Sequence, residues 1–95
     1  MQIEFDAHKR DRTLAERGLD FARATEVFGG RHLTRRDDRI DYGEERFVTA
    51  GWLDGRIVLV VWTPRGAAHR IISMRKANDR EQKRYGHLVQ MEGSG

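Results

Sequence analysis

The chain has no cysteine, and that one absence removes several kinds of protein at once. Disulfide scaffolds, thiolate nucleophiles and cysteine-ligated zinc are excluded, and the composition fits a reducing compartment. Proline occurs once, at Pro64, and aromatic residues make up only 8% of the chain. Long apolar runs are missing too. The longest, Ile57 to Trp62, falls far short of the roughly 20 residues that cross a bilayer. The opening Met1-Gln2-Ile3-Glu4 lacks the basic-then-apolar order of a secretory signal. The histidines His8, His32, His69 and His87 show no i, i+4 pairing with a nearby acid, so neither a metal nor another cofactor is expected. The expectation from these absences is a soluble, cytoplasmic protein with no membrane partner.

What the sequence has instead is charge. Charged residues make up 35%, with 18 Lys and Arg against 15 Asp and Glu, a net of +3. An excess this mild permits a polyanionic partner without requiring one. The 95 residues suit one domain with one modest core. The expected organisation is a single domain over residues 1–88, then a flexible tail over 89–95 that ends Glu92-Gly93-Ser94-Gly95.

The run Ile57-Val58-Leu59-Val60-Val61-Trp62 is apolar throughout and reads as a central strand buried on both faces. Before it, Glu45 to Leu53 reads as a strand. Asp54-Gly55 between the two is the strongest hairpin signal in the chain. After it, a turn over Thr63 to Ala68 built on Pro64 and Gly66 leads to a strand from His69 to Lys76. Asn78-Asp79-Arg80-Glu81 has capping-box spacing and opens a helix that ends near Tyr85. Towards the N-terminus, Gln2 to Phe5 alternates as a short strand. Asp6 caps a helix from Ala7 to Arg17 that Gly18 closes. Asp20 caps a second helix, with Phe21, Ala24, Val27 and Phe28 on one stripe and Gly29-Gly30 at its end. Residues 31–40, with Arg35-Arg36-Asp37-Asp38-Arg39, read at best as an edge strand entering a mobile loop through Gly43. The fold class is therefore α+β: an antiparallel sheet of three or four strands with helices on one face, in the order β-α-α-β-β-β-(β)-α.

Helices on one face leave the other open, and strand residues two apart share a face. On the last strand, Ile72 and Met74 suit the core, which assigns His69, Ser73 and Arg75 to the open side. Arg70 has the opposite parity and falls on the core side unless a bulge re-aims it. Glu44 and Arg46 share a face if their strand begins there. Lys76, Arg80, Lys83 and Arg84 have no interleaved aromatic to stack a base and read as a solvated face. Trp52 and Trp62 read as core, and Tyr85 as a packing residue with a hydrogen-bonded hydroxyl.

Arg70-Ile71-Ile72-Ser73-Met74-Arg75-Lys76-Ala77, followed by Glu81 and Tyr85, resembles the BrnT family of ribonuclease toxins from type II toxin-antitoxin systems, which are related in fold to RelE. The likeness continues upstream through Phe5-Asp6-x-x-Lys9, Gly18-Leu19-x-Phe21, Val27-Phe28 and Gly43-Glu44-x-Arg46-Phe47. It departs from the family pattern at Thr13, Glu16 and Arg17, where Asn and then Lys-His are usual, and at Met74, where Ala is usual. An arginine at position 17 cannot shuttle protons at neutral pH.

The resemblance implies a metal-independent endoribonuclease that cleaves mRNA and inhibits translation. It implies a BrnA-like ribbon-helix-helix antitoxin as partner, in a hetero-oligomer that meets operator DNA only through the antitoxin. In such a reaction the ribose 2′-hydroxyl attacks its own phosphate, so the protein positions the chain, neutralises charge and moves protons. The resemblance assigns catalysis to Glu44, Arg46, Arg70, Arg75 and Tyr85 and raises Lys9 for RNA binding, to which Lys76 and Arg80 are added as basic residues beside the site. Arg46 and Arg75 would clamp the phosphate, and Glu44 would act as base or hold Arg46. The competing reading is a non-catalytic basic module acting within a DNA-binding repressor complex.

Overall fold

The computed structural model describes residues 1–89, and residues 90–95 of the expected tail lie outside it. The elements run β1 (Gln2–Phe5), α1 (Ala7–Arg17), a 3-10 turn (Phe21–Arg23), α2 (Ala24–Gly29), β2 (His32–Arg36), β3 (Phe47–Leu53), β4 (Arg56–Arg65), β5 (Ala68–Lys76) and α3 (Asp79–Leu88). The α+β class holds, but the sheet has five strands in the order β1-β5-β4-β3-β2 rather than three or four. It is also mixed, because β1 pairs parallel to β5, from Gln2 opposite Ala68 to Phe5 opposite Ile71. A parallel partner this distant in sequence leaves no local signal. The charged edge strand β2 is set by its pairing with β3, not by propensity.

The hairpin between β3 and β4 forms as its sequence dictates. Asp54 and Gly55 both take positive φ, 53° and 76°, the pair of left-handed residues a two-residue turn needs. β4 runs on through Pro64, whose place near the strand end opposite His69 shortens the following turn to Gly66 and Ala67. β3 begins at Phe47, so Glu44 and Arg46 stand in the loop before it. The second helix divides into the 3-10 turn, capped by the Asp20 side chain, and α2.

β4 is buried on both faces, as its composition requires. Val58, Val60 and Trp62 join Leu19, Phe21, Ala24, Val27 and Met74 in one core beneath the N-terminal helices. Ile57 and Leu59 join Val48, Ala50, Tyr85 and Val89 in a second core on the other side. The helices therefore do not share one face: α3 packs against the face opposite α2. Two-sided burial of β4 is the physical reason, since an all-apolar strand needs cover on each side. Val89, at the start of the expected tail, is itself buried, and its carbonyl accepts a 2.7 Å bond from the Trp52 indole. The amide of Gln82 pins α3 to β4 by bonding both Ile57 N and Ile57 O. Trp62 lies between Phe47 and His69, with ring centroids 4.9 and 3.9 Å away.

Among the described residues no helix is long and apolar enough to cross a membrane. α1 has no buried residue. It is tied down by polar contacts instead, from Arg10 to Asp20 at 3.0 and 3.1 Å and from Arg17 to the Met74 carbonyl at 2.8 Å.

α2 lies so close on β3 that a Cβ on Gly51 would stand 2.7 Å from Val27 Cγ1 and 3.3 Å from the Val27 carbonyl oxygen. Gly51→Ala should therefore overpack this contact and destabilise the fold by about 1–3 kcal/mol. In a domain of this size each kcal/mol lowers the melting temperature by roughly 4–8 °C. A calorimetric scan checks this, and an unchanged melting temperature would mean the helix rides free of the strand.

Candidate functional site

One residue count decides which side chains meet. β5 pairs with β4 in register from Lys76 opposite Val58 to Ser73 opposite Val61, and then Trp62 faces Ile71, leaving Ile72 as an extra residue. This bulge reverses the parity of everything before it. His69, assigned from sequence to the open side, turns instead to the α2 side, where it stacks on Trp62 and meets the edge of Phe28 at 5.1 Å. Burial, and secondarily the amino terminus, lowers the His69 pKa, which favours the neutral ring this stack accommodates. Arg70, opposite Thr63, moves to the same face as Ser73 and Arg75. There it pairs with Glu4 of β1 at 3.2 Å.

On that face α3 covers only part of the sheet. Beside it lies a groove of about 160 Å³ with Val48, Leu59 and Val61 as floor and Arg35, Arg39, Ser73 and Arg75 as walls. Each wall is held. Arg75 forms a two-pronged pair with Glu81, both bonds 2.8 Å. Glu81 also closes the capping box of α3, taking the Asn78 backbone N–H at 3.0 Å while its own N–H bonds the Asn78 side chain at 2.9 Å. The Arg75 bonds, opposed by burial and assisted by the Asn78 N–H, lower the Glu81 carboxyl from 4.5 to about 2. A carboxylate so stabilised is a poor proton acceptor at neutral pH, and its work is to orient Arg75.

Arg39 is held likewise by Asp37, through bonds of 2.8 and 3.1 Å. Asp37 is buried, yet hydrogen bonds from Arg39 hold its carboxyl below the usual range despite burial, and Tyr42 adds a bond at 3.3 Å. Arg39 and Arg75 are close enough to repel one another. Arg35 has no carboxylate partner among the described residues, and its Nε donates to the Tyr85 hydroxyl at 3.5 Å. Tyr85 is buried as expected, with that hydroxyl directed to Arg35 at the groove.

The other residues singled out from sequence disperse. Glu44 and Arg46 pair at 3.3 Å in the loop over 37–46, where the Arg46 guanidinium lies 4.0 Å over the Tyr42 ring. That loop is pinned by Asp37 N to Arg46 O at 2.8 Å and by the Thr63 hydroxyl to Glu45 O at 2.6 Å. Its own pocket shares Arg39 with the groove, so the two sites are neighbours and not one. Lys76, opposite Val58, points to the other face of the sheet, and Arg80 is exposed on the first turn of α3. Lys9 stands on α1, beside the edge of β5. Reading by sequence missed Arg35, Arg39 and the grip of Glu81 on Arg75. The parity Leu33, Arg35 on β2 was the available signal, but it acquires meaning only once Arg35 is known to face Val48.

This geometry, a held set of guanidinium groups over an apolar floor, suits a crowded phosphate. Residues 5–81 match the sequence model of the ribonuclease toxin, BrnT, of type II toxin-antitoxin systems. The chain belongs to that family. The match spans most of the chain and takes in every groove residue named above except Tyr85, so the resemblance carried by Phe5-Asp6, Gly43-Glu44 and Arg70 to Ala77 is borne out. Membership in this BrnT family supports endoribonuclease activity and implies an antitoxin partner. No curated protein sequence matches the chain.

A pH test isolates the Arg75–Glu81 pair. The folded Glu81 carboxyl lies below its ordinary value of 4.5, so its stabilisation is complete above that value and is lost as pH falls toward about 2. Glu81→Gln, which keeps an acceptor for the Asn78 N–H, should lower the melting temperature at pH 7 and shrink its decline between about pH 5 and 2. Parallel melting curves for the two proteins over that range would show that the pair contributes nothing.

Proposed function

We propose that this BrnT-family chain cleaves messenger RNA, and so inhibits translation, in the groove walled by Arg35, Arg39, Ser73 and Arg75. The observation that supports this most is the convergence of those arginines, two of them fixed by carboxylates, beside the Tyr85 hydroxyl. The ribose 2′-hydroxyl is the nucleophile, attacking the adjacent phosphorus as the 5′-oxygen of the next nucleotide leaves. Two phosphate oxygens gain charge in the five-coordinate transition state. Arg75, pre-aimed by Glu81, donates to one of them, and Arg35 and Arg39 supply the field around them. Because the arginines are already in place, little reorganisation is needed as the charge grows.

No histidine lies at this groove, so the protons move through other groups. Tyr85 is the donor best placed for the leaving oxygen, and a strand bound across Arg39 brings its 2′-hydroxyl to Glu44 of the adjoining pocket, the carboxylate that takes the proton. Arg46 holds Glu44, and Arg70, held by Glu4 one same-face position beyond Ser73, meets the flanking phosphate. The reaction as proposed needs no metal, because arginines supply the charge. The RelE-like relationship and cytoplasmic action belong to the same reading. So does an antitoxin of BrnA-like ribbon-helix-helix type, whose dimer gathers copies of this chain and carries them to operator DNA.

Arg75→Ala should lower RNA cleavage by roughly 10²-fold or more, the scale of losing a pre-aimed donor, with the domain still folded by thermal melt. Cleavage should continue in chelator and leave a 2′,3′-cyclic phosphate, while RNA with a 2′-deoxy sugar at the scissile position should resist. Undiminished cleavage by folded Arg75→Ala protein would remove the groove from the mechanism, and cleavage of the deoxy substrate would remove the 2′-hydroxyl.

The antitoxin half is tested by light scattering on the co-expressed pair, which should give a hetero-oligomer. Its association rate should fall with salt faster than its affinity does. A chain that stays monomeric beside its antitoxin would overturn this arrangement.

A further inference from the structure

β5 is longer than the strand beside it. β1 stops at Phe5, opposite Ile71, while β5 continues to Lys76, so its outer edge from Ile72 onward has no strand partner. α1 stands off that edge, since none of its residues is buried and its ties are polar. Between them is a cleft of about 250 Å³. Lys9, Arg12 and Arg17 line it with one acid, Glu16, and its floor is Ile72 and Ser73. Ser73 also walls the arginine groove, so the two depressions meet at one residue across the edge of the sheet.

We propose that this cleft is a second RNA-backbone subsite, which takes the phosphates of one flank of the strand as it leaves the groove. The proposal rests on the reading of the groove as an RNA-cleaving site and gives that strand a path. Three features favour RNA here. Lys9 and Arg12 have no carboxylate partner among the described residues, whereas Arg39 and Arg75 are both paired. The cleft lining contains no aromatic side chain, so it offers charge and not stacking, which suits a backbone of any sequence. The other route out of the groove, along Lys76 and Arg80, is broken because Lys76 points to the opposite face of the sheet.

Lys9 and Arg12 are then the phosphate contacts. Arg17 is a positioning residue, since its 2.8 Å bond to the Met74 carbonyl occupies the open strand edge and fixes the distance between α1 and β5.

The test is binding of uncleavable, fully 2′-O-methylated RNA, followed by fluorescence anisotropy across a salt series. Each phosphate contact on a single strand contributes about 0.7 to the slope of log K against log salt, so the double variant Lys9→Gln, Arg12→Gln should lose about 1.4 on an oligonucleotide of about ten residues. On one of about four residues, used as the probe of the groove alone, the slope should not change. Arg56→Gln, a charge removed at the distant β3–β4 hairpin, serves as the control and should leave both slopes alone. Arg17→Lys should weaken binding of the longer RNA and Arg17→Gln should weaken it further, each with a thermal melt to verify folding.

An unchanged slope on the longer RNA in a folded double variant overturns the proposal. Equal losses on both lengths overturn it too, by placing Lys9 and Arg12 at the groove itself. A loss confined to antitoxin binding would reassign the cleft to the protein partner and overturn it as well. Since the groove is judged by cleavage and the cleft by length-dependent salt slopes, either reading can fail while the other stands.

Discussion

One surplus residue in β5 governs both sides of the sheet. With Ile72 unpaired, His69 turns inward to complete the aromatic stack on Trp62, and Arg70 turns outward to join Arg75. A register without the bulge would push a guanidinium into the layer occupied by Phe28 and Trp62 and leave the imidazole in solvent. The desolvation cost of an unpaired buried cation sets the preference firmly. The same irregularity thus completes an apolar core and supplies a cation to the opposite face.

The groove exists because the two faces of β4 are covered unequally. On one side the N-terminal segment from Leu19 to Phe28 spreads over the strand, and on the other the single helix α3 leaves Leu59 and Val61 reachable. Gathering Arg35, Arg39 and Arg75 at that gap would be unfavourable if they were left alone. Glu81 and Asp37 offset the repulsion, each paired with its own arginine. Arg35 has no carboxylate bonded to it and feels Glu81 only at longer range, which leaves a local preference for an anion. Glu81 does this while capping a helix, so the orientation of Arg75 and the start of α3 are parts of one hydrogen-bonded unit.

Much of this was legible in the sequence wherever the signal was local. Asp54-Gly55, the Asn78 to Glu81 box, Gly18 after α1 and the apolar run of β4 each formed the element their chemistry dictates. What sequence reading could not reach was long-range. The parallel pairing of β1 with β5, the seat of α3 on the opposite face and the recruitment of β2 depend on partners far along the chain. The bulge is a matter of register, and parity alone misplaced His69. Of the residues assigned from sequence, Arg75 walls the groove, and Tyr85 reaches it only through its bond with Arg35. Arg35 and Arg39 were read as part of a charged loop, because nothing near them in sequence announces Val48 or Asp37 as the group that orients them. Glu44 and Arg46 were legible as a pair but not as residents of a neighbouring pocket.

The parallel pairing of β1 with β5 also bears on how the molecule comes into being. On the ribosome β1 emerges well before the strand it pairs with, and the other three strands are made between them. Ser73 and Arg75, which with Arg35 and Arg39 wall the groove, are translated after all the other strands, and Glu81, which holds Arg75, later still. The first strand must wait unpaired, and the groove has no existence before β5 is made. Assembly of this kind, dominated by contacts between ends, is slow compared with helix formation. A nascent copy therefore has no assembled groove until β5 and α3 have been made.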